Sequence, residues 1–300
     1  MPSLRQIRRK ISSVKGTRRI MSAMKLISAV KLQRVQGLLL AFRPYSDAFS
    51  EVAKDLAFRC DPKWHPLLRR PQEKKKLHVV FMTSDRGLCG SFNSNLIRRM
   101  ETFLIIDAKA YEQVSFRFVG KRGRDHFRRQ KVQIQVGEFV TAKSYIGVNE
   151  RNFGPVAKEI SSDLSREFAQ GEVDEVILVY NYFKSALSQV ITFERILPIE
   201  PEERLGDSRA IDYIYEPDRE DVLNFVLPRY VETRVERALL ESITSEHGAR
   251  MTAMENATRN ADEVVRKLTL LFNKTRQALI TKELMDIVNG TEALRKGGID

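Results

Sequence analysis

Two cysteines, one tryptophan and four histidines in 300 residues leave little from which to build a disulfide scaffold or a metal centre. Cys60 and Cys89 give no disulfide framework, so a reducing compartment is expected. His65, His78, His126 and His247 are scattered, and none has ligand spacing with another histidine or cysteine. No Ser-His-Asp or Cys-His arrangement stands out, and the acidic pairs Asp174-Glu175 and Glu202-Glu203 fall in loop-like contexts where solvation explains them. No catalytic, cofactor-binding or metal-binding residue is expected. Apolar runs are short as well. Runs such as Leu38 to Phe42 and Val79 to Met82 fall far below the ~20 residues that span a bilayer. Charges interrupt the opening residues, so no secretory signal is expected. The reading is of a soluble or peripherally attached protein.

Proline and glycine are missing where it matters most. Arg229 to Asn289 holds no proline and one glycine, Gly248. A continuous helix there would run ~90 Å at ~1.5 Å per residue. Ser3 to Arg43 is also proline-free and would add ~60 Å. Helices of compact domains average ~10–14 residues, so both ends exceed what such a domain holds. Each needs a partner for its apolar stripe, and the nearest is the other end of the chain. Ser3 and Gln6 fit a capping box. Leu4, Ile7, Ile11 and Val14 then step by three and four, Arg18 interrupts, and Met21, Met24, Ile27 and Val35 resume. Pro44 reads as a kink, with helical pattern continuing through Phe49, Val52 and Leu56. At the other end the pattern begins near Glu220, with Pro228 tolerable only near its start or as a bend. Ala238, Ser242, Ser245, Ala249 and Thr252 make a thin stretch, fit for close backbone approach or for another chain. Asp262 with Arg266 and Glu263 with Lys267 are i,i+4 pairs, and Asn289-Gly290 supplies a C-cap signal.

Acidic residues are absent from the first 46 positions, which carry eleven Lys and Arg. The rest of the chain is nearly balanced, with 40 basic residues against 39 acidic, so almost all of the net +12 sits on the first helix. Such a helix could meet nucleic acid, anionic lipid or an acidic protein surface, or serve as an organellar transit peptide. The unbroken helical pattern past residue 30 speaks against the last.

Between the ends the pattern changes. Residues 61–76 hold three prolines and a basic cluster and read as a linker. Strands are expected at Leu77–Thr83, Ser115–Val119, Val132–Val136, Val176–Tyr182 and Gln189–Ile196, the last two joined as a hairpin. Helices are expected at Asn93–Lys109, Gly123–Gln130 and Asn152–Gln170, the last ended by Gly171. This alternation predicts a mostly parallel α/β sheet with an antiparallel edge.

Three segments invite a functional reading. Ser84–Asn93 follows the first strand, where phosphate-binding loops sit, but it lacks both the Walker spacing and the dinucleotide fingerprint. A structural turn fits better, with Cys89 as a small buried residue. The basic run 121–131 has only Phe127 interleaved and reads as solvated surface. Arg276 to Gly290 mixes Arg276, Gln277, Thr281 and Glu283 with Ile280, Leu284, Ile287 and Val288 around more than one face. A socket provided by another protein explains that pattern; a frayed end is the plainer alternative.

These residues carry a resemblance over essentially the whole chain. The first helix, followed by Arg43-Pro44-Tyr45, the segment SDRGLCGSFNSNL and the C-terminal ITKELMDIVNG with Arg276-Gln277 before it resemble the gamma subunits of F-type ATP synthases. One departure is Thr291 after Gly290, where that family usually has Ala. The resemblance implies an α/β fold class: a long antiparallel coiled coil of the terminal helices with an inserted Rossmann-like domain. The implied segments are a shaft helix at 1–58, a linker at 59–76, an α/β domain at 77–205, a second shaft helix at 209–290 and a tail at 291–300. It implies a central rotor stalk turning inside three alpha and three beta subunits, coupling proton flow to ATP synthesis or hydrolysis on beta while carrying no catalysis or nucleotide of its own. Epsilon, delta and a membrane ring of c subunits are the further implied partners. Met24, Lys25, Arg276, Gln277, Thr281 and Glu283 are the implied contacts with the ring. The expected location is the cytoplasmic face of a bacterial inner membrane, with the mitochondrial matrix side less favoured. Cys60 and Cys89 do not form the regulatory pair of chloroplast members, so thiol switching is not expected. The rival readings are a coiled-coil nucleic-acid binder using the basic first helix and an α/β enzyme with helical arms.

Overall fold

The computed structural model describes residues 3–129, 138–200 and 213–296. It divides into two compact units: an end unit, residues 1–27 with 253–300, and a middle unit, residues 28–252. Two long helices, α1 (Leu4–Arg59) and α5 (Arg219–Lys296), contribute to both. Among the described residues no helix is long and apolar enough to cross a membrane.

Local chemistry starts each helix. The Ser3 N–H donates to Gln6 Oε1 at 3.0 Å and the Gln6 N–H donates to Ser3 Oγ at 3.3 Å, both arms of a capping box. The Asp221 N–H donates to Asp218 Oδ1 at 2.8 Å, and Glu220 and Asp221 place negative charge at the positive end of the α5 dipole. Pro44 and Pro228 both lie inside continuous helix. Pro44 is exposed, as is Leu40 four residues earlier, so water can meet the carbonyl that Pro44 leaves without a donor. Asn289-Gly290 does not end α5, which runs on to Lys296; Asn289 and Gly290 are exposed, with no packing against them among the described residues.

In the end unit the two helices run antiparallel. Arg18 pairs with Asp262 and Lys25 with Glu255, so seven residues forward on α1 is seven residues back on α5. Leu4, Ile7, Ile11, Val14, Met21 and Lys25 on α1 are buried or half-buried, in alternating steps of three and four once Arg18 is included. Met254, Thr258, Ala261, Val265, Leu268, Phe272 and Thr275 continue that rhythm on α5. The expected Asp262–Arg266 pair is replaced by Asp262–Arg18, because the seam brings the longer-range cation closer.

The middle unit is built on five strands, β1 (Lys76–Met82), β2 (Gln113–Val119), β3 (Glu138–Tyr145), β4 (Glu175–Phe183) and β5 (Gln189–Leu197), in the order β3-β2-β1-β4-β5. All neighbours are parallel except β4 and β5, the expected hairpin. The strand expected at Val132–Val136 lies outside the described residues. The central strands β1 and β4 are buried on both faces, as near-continuous apolar runs require. Leu77, Val79 and Phe81 face one side, against Leu96, Met100 and Leu104 of α2 (Phe92–Ile106) and Phe127 of α3 (Lys121–Arg129). Val80 and Met82 face the other, against Ile160, Leu164 and Phe168 of α4 (Phe153–Ala169) and Leu223 to Leu239 of α5. Within residues 61–76, expected to link, the first half carries buried side chains. Pro62 and Pro66 each open a 3-10 turn, capped by the Asp61 carboxylate and by His65 Nδ1, and Leu67 and Leu68 are buried in the core.

Candidate functional site

The loop from Ser84 to Asn93 leaves β1 at the carboxyl edge of the sheet, where doubly wound folds bind ligands. Ser84 and Asn93 spend their polar groups within the loop. Ser84 N–H donates to Asn93 Oδ1 at 3.0 Å, Asn93 Nδ2 donates to Ser84 Oγ at 2.7 Å, and Ser84 Oγ donates to the Arg86 carbonyl at 2.6 Å. Cys89 is buried beside them; burial pushes its thiol up, away from reactivity. The Asp85 carboxylate accepts the Lys121 N–H at 2.9 Å and the Gly147 N–H at 2.7 Å, tying the loops after β2 and β3 to the loop after β1.

α5 closes the crevice that a ligand would use. Leu239, Ser242, Ile243 and Glu246 meet Thr83 and Asp85 around a cavity of about 20 Å³. That is room for about one water molecule. Glu246 is bound to Arg250 at 2.7 Å, yet burial raises its carboxyl above the ordinary range. The thin stretch of α5 noted in the sequence serves this close approach. Ser245 Oγ donates to the Asn181 carbonyl at 2.9 Å and Thr252 Oγ1 to the Ala186 carbonyl at 3.0 Å. A Cβ on Gly248 would lie 3.1 Å from Ala186 Cα. Among the described residues no group of three or more His, Cys, Asp and Glu could hold a metal.

The end unit carries the other candidate surface. Met24 and Lys25 are half-buried on α1, and Lys25 lies 3.8 Å from Glu255. Arg276, Gln277, Thr281 and Glu283 are all exposed on α5. The register set by the ion pairs places Met24 and Lys25 opposite Glu255 and Asn256, twenty residues or ~30 Å along α5 from Arg276. The structure therefore separates the two groups of expected contact residues along the helix pair. The same register brings Arg276 level with Leu4, so the rest of α5 outruns the start of α1. Every residue from Arg276 to Thr291 is exposed, including Leu279, Ile280, Leu284, Met285, Ile287 and Val288. Six large apolar side chains on one bare helix make a surface that calls for a partner.

Charge is arranged on the same unit. Arg5, Arg8, Arg9, Lys10, Lys15 and Arg19 are exposed, and among the described residues only Arg18 and Lys25 of the α1 cations before Ser28 meet a carboxylate. Sequence reasoning missed Glu241, which is fully buried and binds Arg43; its neighbours Glu236 and Glu246 on the same helix leave it no distinguishing local signal.

A family model described as ATP synthase matches residues 3–294. The chain is 46% identical over 298 residues to an ATP synthase gamma chain of Anaeromyxobacter sp. (strain Fw109-5), covering 98% of this chain and all of that one. It is 42% identical over 296 residues to that of Geobacter metallireducens, again over 98% of this chain and all of the other. Among solved structures it is similar to a chain of the Tetrahymena thermophila mitochondrial ATP synthase central stalk and c-ring, with a TM-score of 0.59 at 26% identity over 79% of this chain and 99% of that one. A chain of the Euglena gracilis mitochondrial ATP synthase shares its fold, with a TM-score of 0.70 at 20% identity over 99% and 96%. These likenesses lend no support to the nucleic-acid reading of α1.

Proposed function

This chain belongs to the ATP synthase gamma-chain family, and from that premise we propose how its two units divide the work of a rotor. It is the gamma subunit of an F-type ATP synthase and part of its central stalk. The end unit inserts into a ring of three alpha and three beta subunits. The middle unit meets the epsilon subunit and the membrane ring of c subunits, with delta elsewhere in the same complex. Proton flow turns the stalk, and ATP is made or hydrolysed on beta. The gamma chain supplies no catalytic group. The complex sits at the cytoplasmic face of a bacterial inner membrane, a placement that the bacterial relatives favour.

One observation carries this reading. Among the described residues the helix from Arg276 to Thr291 has no partner, yet it displays a run of large apolar side chains. In water that surface costs free energy; inside a socket it is buried. A helix pair with a cationic strand on one side and a nearly balanced one on the other touches three identical neighbours unequally. Unequal contacts bias each neighbour toward a different conformation, which is what drives a population shift. Met24 and Lys25 form the contact region deeper along the pair, and Arg276, Gln277, Thr281 and Glu283 form the one at the tip.

The test is to replace Arg276 and Gln277 together with Ala in the assembled complex and measure ATP turnover and proton pumping. A loss of both with assembly intact supports the tip contact. Unchanged turnover and coupling would remove it.

A further inference from the structure

Glu241 of α5 has no exposed side-chain surface, and its two oxygens join three elements of the middle unit. Oε1 accepts from Arg43 Nε of α1 at 2.9 Å, and Oε2 accepts from Arg43 Nη2 at 2.8 Å. Oε2 also accepts the backbone N–H of Phe183, the last residue of β4, at 2.9 Å. Arg43 Nη2 returns to the same residue, donating to the Phe183 carbonyl at 2.8 Å, and the guanidinium lies 4.7 Å from the Tyr182 ring centre. Arg237, one turn earlier on α5, stands 3.9 Å from Oε1 and pairs with Asp47 of α1. One carboxylate thus holds α1, α5 and the end of the central sheet.

Stability alone does not call for this arrangement. A buried ion pair can usually be exchanged for apolar residues at little cost, because desolvating the charges offsets their attraction. Apolar neighbours are already there: Leu32, Val35, Leu39, Leu240 and Ile243 pack with Phe183 around the clamp. What such contacts lack is direction. Hydrophobic burial resists separation but is indifferent to sliding or rotation that keeps surfaces covered. A bidentate guanidinium–carboxylate fork is strong only in one plane and one orientation, so it resists shear as well.

We propose that Glu241, with Arg43 and the Phe183 peptide, is the joint through which the two long helices and the α/β sheet turn as one body, so that torque passes between them without slip. This rests on the rotor reading above. Glu241 and Arg43 are positioning residues here. Loss of the joint is expressed under load, when the sheet is held back by the membrane sector while the helices are driven.

The experiment uses the complete complex in inverted membrane vesicles, carrying Glu241→Gln or, separately, Arg43→Lys. Gln keeps the shape and an acceptor for the Phe183 N–H, and Lys keeps the charge but not the fork. ATP hydrolysis and ATP-driven proton pumping are measured in the same vesicles. Hydrolysis is expected within about twofold of the unaltered complex, with the ratio of pumping to hydrolysis reduced about threefold or more by Glu241→Gln and less by Arg43→Lys. An unchanged ratio in both variants overturns the joint. So does a proportional fall of both rates, which is the mark of a residue needed only for folding or assembly. Failure of the unaltered chain to assemble with alpha and beta subunits would instead remove the rotor reading itself.

Discussion

Arg18 Nε lies 2.7 Å from Asp262 Oδ1, at the one seam position of the first turns of α1 where an apolar residue is replaced by a cation. Lys25 repeats the exchange one heptad later, opposite Glu255. Both pairs satisfy one register, in which partner numbers sum to the same value, so the charges mark the alignment of the two helices as well as their antiparallel sense. Arg18 and Asp262 are each about half exposed, at 46% and 53%, which limits what the pair is worth. A double-mutant cycle with Arg18→Gln and Asp262→Asn is expected to give a coupling of ~0.2–1 kcal/mol in urea unfolding at low salt. Raising the salt to ~1 M, where screening acts within ~3 Å, should shrink it further. A coupling above ~2 kcal/mol would mean that the pair is far less solvated than its exposure indicates.

Two glycines should respond to the same substitution in opposite directions. Gly120 has φ +92°, and a Cβ there would lie 2.0 Å from the Thr83 carbonyl oxygen. This is where the end of β2 passes the end of β1 before α3 begins, and neither backbone can yield without breaking the sheet. Gly120→Ala is expected to destabilise by ~3 kcal/mol or more, or to prevent folding. Gly16 lies in the middle of the α1 portion of the end unit, with nothing within 4 Å of its missing Cβ. Gly16→Ala is expected to stabilise by ~0.5–1 kcal/mol through helix propensity. Thermal unfolding of the two variants beside the unaltered chain decides both. A destabilised Gly16→Ala would show that the chain uses the position for close approach of a neighbour.

Much of this fold is legible because its signals are local. The capping box at Ser3, the three-four stepping of Leu4 to Val14 and the unbroken helix after Arg229 each need only a few neighbouring residues to be read. The parallel strands β1 and β4 announce themselves as apolar runs, and β4 with β5 as a hairpin. What stayed hidden depends on partners distant in sequence. Pro62 and Pro66 look like linker residues until Leu67 and Leu68 are seen packed in the core with α4. Asp262 has an obvious helical neighbour in Arg266, but Arg18 takes it across the seam. Glu241 reads as one more surface acid on a long helix, and only the fold brings Arg43 and Phe183 to it. At the candidate tip the opposite holds. The mixed pattern of Arg276 to Val288 was readable because no partner among the described residues conceals it.

Acid should weaken the middle unit through His78. The ring is fully buried, its Nδ1 lies 2.7 Å from Ser115 Oγ, and Arg117 stands close by in the same layer, bound to Glu167 at 2.7 Å. Burial first, and the Arg117 charge second, hold the His78 pKa down at about 3. His247 is held down to about 4, again by burial before the nearby Arg250 and Lys31 charges. An unfolded chain protonates both rings near the ordinary value of 6.5, whereas the folded chain stays neutral until the pH falls much lower. Between 6.5 and about 3 or 4 the unfolded state therefore binds more protons, and stability falls as the pH is lowered through that window. Glu236 and Glu246 act the other way. Burial raises their carboxyls, so each adds stability as the pH falls through its folded value toward the ordinary carboxylate range. The histidine contribution is separable by replacing His78 with Asn, which keeps an amide near Ser115 but does not titrate. Urea unfolding of the two proteins from pH 7 to 5 should then diverge. The unaltered chain is expected to lose up to ~1.4 kcal/mol per pH unit more than His78→Asn below pH ~6.5, and to run parallel to it above. Parallel curves throughout would mean that His78 protonates in place, with the ring admitting water or turning toward Glu167 as it gains charge.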